Sequence, residues 1–174
     1  MVTTSSYLSK IINARTLYYD LTAFALITFL PAISHMISIP LYLFEPMGIL
    51  LILSIVHTSK KNSFIIAAAL PIISFLLSSH PAFYKVILIA SELTLIVSLF
   101  FYISQKIKNM FVVTVITILL SKVYYYIGKF LFIKLTLIEG ELVSTPLYIQ
   151  GIVTLVLSIY VYFIFRRRDS SLNK

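Results

Sequence analysis

The sequence predicts an all-α membrane protein with six transmembrane helices, both termini cytoplasmic and a structured outer loop between helices one and two. Three observations predict it. Of 174 residues, 60% are hydrophobic and only 11% are charged, whereas soluble domains average about 45–50% apolar and about 25% charged. The apolar residues fall into six runs near the roughly 20 residues that span a bilayer. The basic residues gather on one side of those runs, and that asymmetry sets orientation.

Taken in order, residues 1–16, "MVTTSSYLSKIINART", read as a cytoplasmic lead-in or short interfacial helix. The apolar run that follows lacks the small-residue cleavage pattern of a signal peptide. The spans are predicted at Leu17–Ser34, Pro46–Val56, Ser63–Ser78, Ala82–Ile103, Met110–Ile133 and Pro146–Phe165. The second is short, so it must tilt or begin earlier, in "LYLF". Residues 166–174 form a basic cytoplasmic tail, and the whole chain reads as one integral membrane domain. With the N-terminus inside, Lys10, Arg15, Lys60, Lys61, Lys106, Lys108, Arg166, Arg167, Arg168 and Lys174 are cytoplasmic, while Glu45, Glu139 and Glu141 fall outside. This one-sided pattern, rather than a nucleic-acid-binding stripe, accounts for the net charge of +8. The first outer segment, "PAISHMISIPLYLFEPM", holds three prolines with His35 and Glu45. Proline fixes φ and removes a donor, so the segment is expected to break into a cap rather than run as one helix. Irregular backbone at membrane depth is tolerated where protein or a water-filled cavity covers it.

Two spans carry charge at their centres. Glu92 lies midway along helix four and Lys122 midway along helix five. A lone charge there costs about 2.5–3.5 kcal/mol or more on insertion scales, so the two are expected to face inward and pair. Seven steps of about 100° return Lys129 to nearly the face of Lys122, with Tyr125 between them. This stripe suits an anionic group with a flat ring, the tyrosine offering a stacking face and a hydroxyl. Lys129 could instead snorkel to the outer interface, and His35 and His80 could simply cap outer loops. Tyr124, Tyr125 and Tyr126 cannot all face one way.

Chemistry is sparse. The chain has no Cys and no Trp, which excludes disulfides and thiolate metal sites. It contains no metalloprotease, serine-hydrolase or phosphate-loop motif. Its three histidines occupy different depths, so no catalytic residue, cofactor or metal is expected. A non-catalytic scaffold of the cell-shape or cell-wall machinery is the alternative class.

The set of short spans with "LPAISH", "FEPMGILLIL", "LPIISFLLSSHPAFYKVILIASEL" and "SKVYYYIGKF" resembles the substrate-binding S components of energy-coupling factor (ECF) vitamin transporters. The likeness covers about Leu21 to Phe165. It implies a six-helix bundle in a bacterial plasma membrane that binds one vitamin-like molecule beneath the loop after helix one. The partners it implies are a transmembrane T component and two ATPase subunits. Where relatives carry Gly-Arg before a tyrosine in helix five, this chain has Ser121-Lys122, which keeps the charge and loses the bidentate geometry. The Ala-x-x-x-Ala pattern of helix one is absent; Ala25, Thr28 and Ala32 are the nearest substitute. The substrate-binding residues expected are Lys129, Tyr125, Lys122, Glu92, His35, Glu45 and His80.

The orientation is open to direct test, since a chain without cysteine accepts single cysteines as labels. A cysteine replacing Ser59 is expected to resist a membrane-impermeant maleimide in intact cells and to react once the cells are opened. Labelling from outside would reverse the topology.

Overall fold

Why the chain folds as it does is clearest from its shortest helix. The structure, a computed structural model, describes residues 4–78 and 82–172. These residues are all-helical: α1 (Thr4–Met36), a 3-10 turn (Leu41–Phe44), α2 (Pro46–His57), α3 (Lys60–Ser78), α4 (Phe83–Ile103), α5 (Met110–Lys134) and α6 (Leu147–Leu172). Five helices are long and apolar enough to cross a membrane, as in a multi-pass membrane protein. The exception is α2. Its 12 residues rise about 18 Å at 1.5 Å each, well short of a hydrocarbon core about 30 Å thick. The expected extension into "LYLF" does not occur, because those residues wind into the separate 3-10 turn. The structure therefore has five full-length candidate spans and one partial one, the partial helix being the second span already expected to be short.

The other boundaries shift in instructive ways. α1 runs through Pro31 and ends at Met36, two residues past the expected Ser34. The expected break in the first outer segment falls at Ser38, whose φ of 54° ends helical geometry. The lead-in is not a separate helix, for α1 is continuous from Thr4. α6 likewise runs past Phe165 through Arg166, Arg167 and Arg168. α5 begins where predicted, at Met110, because the Asn109 side chain accepts from Phe111 N–H and Val112 N–H. This is the usual chemistry of a helix N-cap.

Neighbouring helices pack in chain order, α3 on α4, α4 on α5 and α5 on α6, while α1 joins α3. Among the described residues α1 and α6 do not touch; α2 and the 3-10 turn stand between them. α2 thus lies inside an arc of five longer helices. Its middle is accordingly apolar on all sides, with Leu50, Leu51, Ile52, Ile55 and Val56 buried, the pattern of a wholly enclosed helix. Around it Ile66, Leu70, Val97, Phe100, Val113 and Val161 complete the core.

Polar seams tie the basic end together. Asn62 Nδ2 of α3 donates to Asp20 Oδ1 of α1 at 2.8 Å, and Tyr19 OH donates to the Leu50 carbonyl of α2. His57 and Tyr160 hydrogen-bond between α2 and α6. Arg168 donates to the Val56 carbonyl at 2.6 Å. Together these bonds join α1 to α3, α1 to α2 and, twice, α2 to α6.

Gly128 lets α4 and α5 close on each other, since a Cβ there would stand 2.6 Å from Leu88 Cδ1. Leu88 is itself buried and has little room to yield. Gly128→Val is expected to lower stability by about 1–3 kcal/mol, the usual cost of overpacking. Thermal unfolding in detergent measures it, and Leu88→Ala in the same chain should restore part of the loss.

Candidate functional site

Where α2 stops, the arc of helices encloses a space instead of a helix. A missing cylinder about 12 Å long and about 10 Å wide would leave about 900 Å³. The structure holds a cavity of 810 Å³ above the first turn of α2. Small-molecule pockets occupy about 300–1,000 Å³. Every helix contributes to its lining.

Its walls change character with depth, and α5 marks the gradation. Lowest is Ile118, level with an apolar girdle that includes Ile52, Ile96 and Leu157. One turn higher is Lys122, then Tyr125 and Tyr126, then Lys129. The 3.6-residue period puts these side chains on one face. Tyr124 points away and is exposed, which settles how the three consecutive tyrosines divide.

Lys122 is the thirteenth of the 25 residues of α5. Its Nζ lies 2.9 Å from Glu92 Oε1 of α4, the partner expected, and 2.7 Å from Glu45 Oε2. The second contact corrects the sequence reading. Glu45 does not stand apart in an outer loop: the 3-10 turn carries it down to the middle of the bundle, where it is the residue that starts α2. Its backbone has φ 52° and ψ 56°, a left-handed conformation that costs a non-glycine residue about 1–2 kcal/mol. Pro46 follows at the first helical position, where its missing N–H costs nothing. The cap is pinned at its start too. Ser34 Oγ donates to the Ile39 carbonyl and accepts from Leu41 N–H at 3.1 Å.

Glu92 is 4% exposed, so its carboxylate depends on the Lys122 ammonium for charge compensation. Lys122 also stands 5.5 Å from the centre of the Tyr125 ring, within cation–π range.

Lys129 is 3% exposed and lines the cavity. Its side chain lies along the cavity wall rather than on the outer surface of the bundle. Its Nζ donates to Ser144 Oγ at 2.6 Å, and it has no ion-pair partner among the described residues. Lys85, near the start of α4, lines the same space, as does His35. Six of the seven expected site residues thus border one cavity. The seventh, His80, lies outside the described residues.

The sequence reading missed Lys85, Ser144, Thr145 and Gln150. Ser144 and Thr145 sit in an irregular loop before α6, where no period reveals a face. Gln150 is buried and donates to Tyr126 OH and to the Thr145 carbonyl at 2.9 Å. An amide within an otherwise apolar helix was the available signal for it. Among the described residues no three His, Asp or Glu side chains are grouped to hold a metal ion.

The chain matches no known protein family, no curated protein and no solved structure.

Because Lys122 has two carboxylates, the three charges are not equivalent. Lys122→Met leaves the buried Glu92 and the half-buried Glu45 facing each other without a cation and is expected to cost about 3–5 kcal/mol, as for breaking a buried pair. Glu92→Gln should cost less, since Glu45 still balances the lysine. Thermal unfolding of each single variant and of the Glu92→Gln, Lys122→Met double variant measures the coupling. Additive losses would show that the two side chains do not interact.

Proposed function

We propose that this protein is the substrate-binding membrane subunit of an ECF-type importer for a vitamin or similar micronutrient. The observation that carries the reading is the 810 Å³ cavity above the truncated α2, bordered by Lys122, Tyr125 and Lys129. A scaffold has no use for a hollow of ligand size lined by buried charges, and such charges are costly to keep inside a membrane. The positive-inside pattern puts the cavity's capped end on the outer face, where an import substrate arrives.

In this reading the protein performs no bond chemistry. It captures a molecule beneath the Pro31–Met47 segment and presents it to a T component driven by two ATPase subunits. Ala25 and Ala32 on the exposed side of α1 are small enough to permit close helix approach and belong to the surface offered to that component. Lys129 supplies the charge for an acidic ligand group, and Tyr125 the face for a ring.

Purified in mild detergent from its native cells, the protein is expected to retain a small molecule, detectable by native mass spectrometry, and to bring ATPase subunits with it. Recovery with cell-wall synthesis proteins instead would overturn the proposal. Lys129→Ala should weaken binding of the retained molecule by about 1.5–3 kcal/mol, the range for a hydrogen bond to a charged group. That is about 10- to 150-fold, read by titration; unchanged affinity would remove Lys129 from recognition.

A further inference from the structure

The charges of the cavity are sorted by depth, and their sum is uneven at each level. At mid-depth Glu45 and Glu92 share the single ammonium of Lys122, which leaves one negative charge in excess. Toward the cap, Lys129 and Lys85 line the cavity with no carboxylate in ion-pair contact among the described residues; Glu141, near Lys129, offsets only one of the two charges, which leaves positive charge in excess. From Lys122 to Lys129 is seven residues, about 10 Å of helix rise. Tyr125 and Tyr126 border the interval.

A surplus negative charge buried beside Glu92 must be neutralised by a proton, a small cation or a cationic group on the ligand. The space that reaches these carboxylates is molecule-sized rather than ion-sized. That size favours a charged donor brought by the ligand. Resting on the reading of this cavity as a ligand site, we infer that its ligand is an elongated, ring-bearing zwitterion. A basic nitrogen meets Glu45 and Glu92, and a carboxylate or phosphate meets Lys129, whose backbone stands about 10 Å along the α5 axis from that of Lys122. An α-amino acid, with both charges on one carbon, cannot reach both poles.

The test uses three compounds of one shape and the full chain in detergent. They are 4′-(aminomethyl)biphenyl-4-carboxylate, its 4′-methyl analogue lacking the amine, and 4-(aminomethyl)biphenyl lacking the carboxylate. Isothermal titration is expected to show the zwitterion binding at least about tenfold more tightly than the methyl analogue, as for a charge-assisted hydrogen bond. In Glu45→Gln the remaining Glu92–Lys122 pair is neutral, so that preference should vanish while the chain stays folded. Glu92→Gln makes the same charge change from the other side, should the first variant disturb the cap. Equal or tighter binding of the methyl analogue would overturn the inference and point to a proton on the carboxylates. So would an amine preference that survives both variants, or failure of all three compounds to bind. The carboxylate is read separately: the zwitterion should outbind 4-(aminomethyl)biphenyl in the native chain but not in Lys129→Ala. If only that comparison fails, the anion-binding role of Lys129 falls and the amine pole stands.

Discussion

Everything in the upper half of this bundle depends on one ammonium group held between two carboxylates. Lys122 alone would be a charge stranded halfway along an apolar helix. Held at 2.7 Å and 2.9 Å from Glu45 and Glu92, it becomes the point where α4, α5 and the start of α2 meet. The three residues come from segments far apart in sequence. Ion pairs buried in this way contribute less to net stability than to specifying one arrangement over others. Here the specified feature is the depth at which α2 begins. Glu45 reaches Lys122 only if the chain descends from the end of α1 to mid-bundle, and the left-handed turn at Glu45 is the local strain that this descent requires.

That descent divides the molecule in two. Below Lys122, α2 fills the interior and the packing is close, with Leu51, Val97 and Val113 among the fully covered side chains. Hydrogen bonds from Asn62, Tyr19 and Arg168 cross between helices there. Above Lys122 the axis is hollow, bordered by Lys85, Tyr125 and Lys129, while Gln150 and Tyr126 tie α6 to α5 beside it. A rigid base beneath an open chamber suits recognition, since the walls that carry the charges are held by helices anchored elsewhere.

The sequence revealed some of this and hid the rest for physical reasons. Long apolar runs identify their helices because a bilayer demands length, and α3, α4 and α5 lie close to where the hydropathy put them. The pairing of Glu92 with Lys122 was legible because a charge at mid-span has few affordable solutions. Glu45 was not legible as the second partner. Its position depends on how far an irregular, proline-containing segment folds back, and no periodicity encodes that. The same limit hid Ser144 and Thr145. α1 runs through Pro31, as the span predicted to Ser34 requires, because a long helix packed against neighbours tolerates the loss of the one hydrogen bond that proline removes.

The truncated helix separates two properties that most binding sites entangle. In a typical pocket, capacity and chemistry reside in the same wall residues, so enlarging the space alters the contacts. Here the capacity follows from the length of α2, while the polar lining groups Tyr125, Lys129 and Ser144 stand on α5 and the loop before α6. Each residue gained or lost at the start of α2 moves its upper end by about 1.5 Å. A lineage could therefore lengthen or shorten the hollow by sliding a plug along a cylinder whose lining stays as it was.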